Sequence, residues 1–511
     1  MSAPTLTRPE VPLRTPLARV ADLAGAGPVG STGPDVVVTG LSLSSQRVRP
    51  GDLYAALPGS RAHGATYVPQ AVAAGAVAVL TDPAGAGLAT GAGVPVLVRD
   101  DPRAVLGSLA AHLYGDPARR LTLMAVTGTQ GKTTTTRLLE GGLTTAGATA
   151  AVIGTVGTRI AGQDVKTSLT TPEAPDLHAL FAVMVERGVT ACAMEVSSHA
   201  LVMGRVAGVV FDAAAFLNLG RDHLDFHHDV EDYFAAKASL FTPERARRGL
   251  TNLDDPFGRR LLEEASVPMT TFSTAGGDAD WRAEDVDLEP EGSTFTVVTA
   301  DGTRIPARVP LTGGFNVTNA LCAIALAGEA GLDPVTVADG IARGGGVPGR
   351  LERIEAGQDF LAIVDYAHKP DAMEAALSAL RPLTQGRLVL VIGAGGDRDQ
   401  GKRPVMGAIG SRLADVLVVT DDNPRTEDPA DIRASVLAGA REAGGPAEVR
   451  EEGDRRTAIR WAVSTARPGD TVVIAGKGHE TGQEIAGTVH PFDDRDEVRA
   501  ALGEWDRGAS R

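Results

Sequence analysis

The sequence predicts an α/β protein built on parallel sheets and divided into about three domains, and three observations carry that expectation. A chain of 511 residues is too long to bury around one hydrophobic core. The stretch Leu121 to Thr136 reads as an apolar strand, a glycine turn and the start of a helix. Apolar runs suited to buried strands recur along the chain, separated by helical patterns, and seven of them end in polar motifs. Strands alternating with helices imply parallel sheets, where ligands sit at the carboxyl ends of strands.

In chain order, residues 1–34 are rich in Pro and Gly and are expected to include a loose tail, with one short apolar pattern at Leu17 to Leu23. Asp35 to Thr39 reads as a strand, Tyr67 to Ala74 as a helix and Ala76 to Leu80 as another strand, which makes a small α/β unit over 1–101. Within it, Gly59-Ser60-Arg61-Ala62-His63-Gly64 reads as a surface loop. The central region, 102–347, carries the glycine turn, and a further α/β pattern fills 348–511. Ser293 to Val298 and Thr303 to Val309, joined through Asp301-Gly302, read as a β-hairpin inserted in the central region.

The glycine turn is Gly128-Thr129-Gln130-Gly131-Lys132-Thr133, with helical periodicity from Arg137-Leu138-Leu139. That order suits a phosphate-binding loop. Two glycines let backbone N–H groups turn inward around an anion, Lys132 brings a positive charge to outer phosphates, and Thr133 or Thr134 offers a hydroxyl to Mg²⁺. Val126 stands where the first glycine of the common spacing would fall, so this is a shortened G-x-x-G-K-T form.

The other strand ends carry further chemistry. Glu195, in M-E-V-S-S-H, is placed either to reach a Mg²⁺ beside Thr133 or to form a cap or ion pair. His199 reads as a satisfied histidine, His223 as the better ligand because it follows a strand end, and His227 and His228 as solvated. Lys237 lies in an apolar helical pattern, where a lysine usually reaches out to water; the sharper reading is a partly buried amine open to carbamate formation. Asn316 suits a helix N-cap or amide contacts to a purine, and Arg350, at the start of the C-terminal region, suits charge on a transferring phosphoryl group. Asp422-Asn423-Pro424-Arg425 is either a simple turn or, with Arg398 and Glu480, a clamp for a zwitterion: Arg for a carboxylate, Glu for an ammonium.

Composition narrows the partners. Sixty-four acidic against 49 basic residues give a net charge of −15, which argues against wrapping nucleic acid. Cys192 and Cys322 are the only cysteines and fall in apolar patterns, so neither a disulfide framework nor a thiolate metal site follows. The N-terminus lacks an apolar leader pattern and no stretch reaches the apolar length a bilayer demands, so a cytoplasmic protein without membrane insertion is expected. A monomer is expected as well.

As a set, G-T-x-G-K-T-T, M-E-V-S-S-H, N-L-x-R-D-H-L-D, A-K-x-x-L-F, D-Y-A-H-x-P-D, G-G-D-R-D-x-G-K-R-P-x-M, D-D-N-P-R and G-K-G-H-E resemble the Mur ligase family over essentially the whole chain. The match is closest to the branch that adds the third peptide residue. The resemblance implies an N-terminal uridine-nucleotide domain, a central ATPase domain of phosphate-loop type and a Rossmann-like C-terminal domain that receives the amino acid. It implies ATP-dependent amide formation between a UDP-muramoyl-dipeptide and meso-diaminopimelate. Gly128 to Thr134, Asn316, Asn319, Arg350, Asp365 and His368 match nucleotide-side positions. Thr133 and Glu195 match one Mg²⁺ site, and His223 with a carbamylated Lys237 a second. Lys132, Lys237, His223 and Arg350 are the implied catalytic set. Leu43, Ser45, Ser60, Arg61, Ala62, Thr170, Thr171, Ser197 and Arg205 match the uridine-linked substrate, and Arg398, Asp422 to Arg425, Gly476 and Glu480 the diaminopimelate site.

The sequence departs from the family pattern at Ser44 and Gln46, where the usual D-S-R has Asp and Arg, and at Leu169, Met203 and Gln130. Two rivals use the same loop: folylpolyglutamate synthesis, and a phosphate-loop switch that hydrolyses nucleotide to change partners. A switch would not need the clamp-like C-terminal strand ends.

Overall fold

The computed structural model describes residues 7–29, 36–223 and 226–509. Of the region 1–34 expected to include a loose tail, residues 1–6 and 30–34 lie outside the described residues, as does Asp35, the first residue of the next strand read from the sequence. Chain contacts group into two compact units: 1–282, 298–303 and 319–340 form the first, and 283–297, 304–318 and 341–511 the second.

The first unit holds a two-stranded pairing of Thr15–Pro16 with Val37–Val38 and two larger sheets. In the smaller of these two, the strands lie in the order Gly27–Val29, Val96–Val98, Ala78–Thr81, Asp52–Ala56 and Gly40–Ser42, all parallel except the first. Of the strand read at 35–39 only Val37–Val38 is present, and a separate short strand, Gly40–Ser42, follows it. The helix Leu106–Leu113 closes the core of this sheet through Leu106, Leu109 and Leu113, so residues just past 101 pack with the N-terminal region.

Within 122–273, the larger sheet, which has eleven strands in all among the described residues, runs Gln163–Val165, Gly157–Ile160, Ala150–Gly154, Ala191–Glu195, Thr122–Thr127, Ala213–Phe216, Gly249–Asn252 and Met269–Ser273. The five strands from Ala150–Gly154 to Gly249–Asn252 are mutually parallel. Leu123 to Val126 are fully buried, as a strand covered on both faces requires. Consequently the carboxyl ends of Thr122–Thr127, Ala191–Glu195 and Ala213–Phe216 share one edge, which is where the polar motifs begin.

The second unit centres on a six-stranded sheet in the order Glu352–Arg353, Leu361–Asp365, Thr471–Ala475, Leu388–Ile392, Val416–Val419 and Glu448–Glu451, parallel except at the first strand. Apolar clusters cover both of its faces. The order changes direction between the strands 471–475 and 388–392, so the loops after them open a crevice at the topological switch point. The expected hairpin is present as Gly292–Thr299 and Arg304–Val309, but most of it groups with the second unit rather than the first. Cys192 and Cys322 are both buried, and burial pushes their thiols up, away from reactivity. Among the described residues, no helix is long and apolar enough to cross a membrane.

Candidate active site

In the first unit, the loop after Thr122–Thr127 runs directly into a helix over Lys132–Thr145, which starts five residues before the periodicity at Arg137. The reason is local: the polar Lys132 to Thr136 carry no apolar period, yet Gly131 at φ 87 makes the turn that starts the helix. A Cβ on Gly131 would lie 2.4 Å from Asn319 Oδ1, so glycine is required by both conformation and space. Asn218 fixes the loop from outside, its Oδ1 accepting from the backbone N–H of Thr129 at 3.2 Å and of Gln130 at 2.9 Å. The Lys132 ammonium donates to the carbonyls of Gly128 and Thr129 at 2.7 and 3.1 Å, which holds its charge over the loop. Asn319 Oδ1 accepts from Thr135 Oγ1 at 3.4 Å, and Thr134 is buried beside Thr133.

Thr133 Oγ1 donates to Glu195 Oε1 at 2.9 Å, so the two residues expected at one metal are in direct contact. The Glu195 carboxylate, fully buried, also accepts from the Thr155 N–H at 2.8 Å and hydroxyl at 3.0 Å. Thr155 in turn meets Thr170 at 3.1 Å. Thr171 links the same strand end to the next motif: its hydroxyl donates to the Glu195 carbonyl at 2.8 Å and accepts from the Ser197 N–H at 3.2 Å, and Arg205 donates to its carbonyl at 3.4 Å. Thr170, Thr171, Ser197 and Arg205 therefore form one network beside Glu195. Leu43 packs half-buried on the N-terminal core, and Ser45 donates to Gln70 at 3.0 Å. Arg47 of the same loop pairs at 3.0 Å with Asp176, close to that network. Ser60, Arg61 and Ala62 lie on the exposed loop expected of them.

Lys237 does not reach water. Its side chain is fully buried, its ammonium donates to the Gly128 carbonyl at 2.8 Å and sits 4.6 Å from the centre of the Tyr233 ring. His223, at φ 54, faces the same tyrosine at 6.0 Å between ring centres. Burial pushes the Tyr233 phenol up, so it remains a neutral partner for Thr129, 3.2 Å away. His199 stacks on Phe226 at 3.9 Å and meets His223 edge-on. His227 corrects the sequence reading: it is buried, with Nε2 2.9 Å from Ser198 Oγ and Nδ1 3.2 Å from Asp232. His228 is exposed as expected.

In the second unit, Arg350 lies with its guanidinium 4.4 Å over the Tyr366 ring, whose edge and face meet His368 and His479. Asp365 accepts from the Leu351 N–H at 2.7 Å and the Ala367 N–H at 2.8 Å, while burial pushes its carboxyl up. Burial and the nearby Lys402 and Lys369 ammonium groups bring His368 down to about 4. Asn316 is a second correction: the helix starts at Gly314, two residues earlier, and the amide donates to the Thr312 carbonyl at 2.8 Å instead of capping.

At the neighbouring strand ends, Asn423 donates to Glu480 at 2.9 Å. Arg425 donates to the Gly396 carbonyl at 2.6 Å and pairs with Glu484 at 3.3 Å. Gly476 approaches Asp422 so closely that a Cβ would lie 3.2 Å from its Oδ2. Pro424 is buried, and Arg398 is exposed on the adjacent loop. Each unit thus gathers its own polar cluster at the carboxyl edge of a parallel sheet.

Residues 37–114 match the Mur ligase family catalytic domain, 126–327 the Mur ligase middle domain and 349–478 the Mur ligase glutamate ligase domain. A relative from Streptomyces avermitilis is 57% identical over 98% of this chain and 99% of its own length; it is named UDP-N-acetylmuramoyl-L-alanyl-D-glutamate–2,6-diaminopimelate ligase. The chain belongs to the Mur ligase family. A Corynebacterium glutamicum protein of the same name is 51% identical to this Mur ligase over 91% of it and 92% of the relative. A solved structure of a ligase so named, 34% identical, superposes with a TM-score of 0.68 over 97% of this Mur ligase and the whole of that chain.

The donor set of this Mur ligase fits a hard cation. Thr133 and Glu195 offer oxygen in direct contact, which Mg²⁺ prefers. Among the described residues, no three His, Cys, Asp or Glu side chains gather as a ready-made cage. Residues given no role from sequence are Asn218, Thr155, Tyr366, His479 and Lys477. Four of the five sit inside or beside motifs that were recognised; only Thr155, after an unremarked strand, left no signal.

Proposed function

We propose that this Mur ligase joins the amine of meso-diaminopimelate to the terminal carboxylate of UDP-N-acetylmuramoyl-L-alanyl-D-glutamate, with ATP converted to ADP and phosphate, in peptidoglycan precursor synthesis in the cytoplasm. The observation that carries this reading is similarity over nearly the full chain to relatives named for that reaction. On this reading 1–101 takes the uridine-linked substrate, 102–347 ATP and 348–511 the amino acid, although the helix Leu106–Leu113 packs on the N-terminal core and most of the 292–309 hairpin groups with the second unit.

The chemistry proceeds in two displacements. A carboxylate oxygen of the dipeptide attacks the γ-phosphorus while the bond to ADP breaks, giving an acyl phosphate. The free amine then attacks the acyl carbon, phosphate leaves, and the amine loses a proton. The loop 128–134 cradles the phosphates and Lys132 follows the charge that moves onto ADP. Arg350, Asp365, His368, Asn316 and Asn319 serve the nucleotide side. Mg²⁺ held by Thr133 and Glu195, and a second ion by His223 and a carbamylated Lys237, would neutralise phosphate charge. Burial of Lys237 against the loop supports its modification, because burial favours the neutral amine over the ammonium and only the neutral amine has the lone pair that attacks CO₂. Thr170, Thr171, Ser197 and Arg205, with Leu43, Ser45 and Ser60 to Ala62, hold the uridine-linked substrate.

Phosphate release by the purified protein with ATP, Mg²⁺ and the UDP-muramoyl-dipeptide should require diaminopimelate, and a panel of other amino acids should not replace it. Release independent of any amino acid contradicts the reading. Lys237→Ala should lose activity and recover part of it with a small added carboxylate; no rescue, with no carbamate resonance in the ¹³C NMR spectrum of the folded protein equilibrated with ¹³C-bicarbonate, removes the carbamate.

A further inference from the structure

The clamp of the second unit is organised around a buried cation. Lys477 has no exposed side-chain surface, and a buried ammonium persists only where its donors are met. Its three N–H donors point at three acceptors: Asp422 Oδ1 at 3.4 Å, Asn423 Oδ1 at 3.1 Å and Glu480 Oε2 at 3.2 Å. Asn423 Nδ2 donates to that same Glu480 oxygen at 2.9 Å. One oxygen of Glu480 is therefore fixed from two sides, while the side chain stays 34% exposed. Two carboxylates and one ammonium leave a single negative charge, which matches one ligand ammonium.

We propose that Lys477 is a positioning residue for specificity: it locks Glu480 so that Oε1 meets the ammonium at the distal end of the amino-acid substrate. The proposal rests on the reading of the second unit as the diaminopimelate site. Lys477 touches no reacting atom. It acts by holding Glu480 in one rotamer and by offsetting the charge of Asp422, so that the pocket selects an amino acid with a second amine over one without it.

The test compares diaminopimelate with 2-aminopimelate, which lacks one amine, in the full-length protein by phosphate release. Wild type should prefer diaminopimelate. In Lys477→Met that preference should shrink by roughly tenfold or more, the size of a lost charge-assisted hydrogen bond, through a raised KM for diaminopimelate. The KM for ATP should stay unchanged, and Lys477→Arg should restore part of the preference. If Lys477→Met does not fold by circular dichroism, Lys477→Gln keeps a buried donor without the charge and carries the same expectation. Equal loss with both substrates overturns the proposal, since a merely structural lysine would act that way. A wild type inactive with diaminopimelate removes the underlying reading instead.

Discussion

His368 is held neutral by its surroundings. Burial, with the Lys402 and Lys369 ammonium groups, brings the imidazole from 6.5 to about 4. Between those values the unfolded chain binds a proton that the folded chain refuses, so this residue subtracts stability as pH falls through the window, and the loss levels off below about 4. Its ring resonances should stay constant from about pH 8 to about 5, and His368→Gln should soften the acid dependence of unfolding between 6.5 and about 4; a ring that titrates near 6.5 contradicts this. His227 is the second test at this scale. Between Ser198 and Asp232 it satisfies a buried hydroxyl, and His227→Ala should cost about 1 to 3 kcal/mol by chemical denaturation. An unchanged midpoint would return it to a solvated role. Its burial was illegible in the sequence because the partner that buries it, Ser198, lies 29 residues earlier.

Elements that depend on neighbouring residues were legible, and those that depend on distant ones were not. The strand Thr122–Thr127 and its glycine turn follow from a continuous apolar run that ends in Gly128, a purely local pattern. Periodicity places the start of the helix after it late because Thr133 to Thr136 are polar yet buried, and burial there comes from the loop and the sheet rather than from an apolar repeat. Of the two roles open to Asn316, the cap follows from the preference of Asn for that position, but Gly313 at φ 98 turns the chain earlier. Lys477 was seen in G-K-G-H-E without a role, since its partner Asp422 is 55 residues away. The loop itself gives the sharpest prediction. Gly131→Ala must adopt φ near 87 and clear Asn319 Oδ1 at 2.4 Å, so strain of about 1 to 3 kcal/mol should fall on the loop. ATP affinity measured by calorimetry should fall by about tenfold or more, with the sheet intact by far-UV circular dichroism. Unaltered ATP binding would show that the loop does not hold the phosphates.

At the scale of the molecule, each unit presents its polar cluster at the carboxyl edge of a parallel sheet: Lys132, Thr133 and Glu195 in the first, Arg425, Lys477 and Glu480 in the second. On the proposed reading the phosphate loop lies in the first unit and the amine clamp in the second, which also carries Arg350, Asp365 and His368 for the nucleotide side. The claim on which the account turns is that the substrate carboxylate is phosphorylated before the amine attacks. The most direct measurement labels the terminal carboxylate of the dipeptide with ¹⁸O and follows the phosphate released with ATP and diaminopimelate by mass spectrometry. Collapse of an acyl phosphate must leave one carboxylate oxygen on the phosphate, so the account expects labelled phosphate in step with amide formation. Unlabelled phosphate alongside the amide product would contradict it.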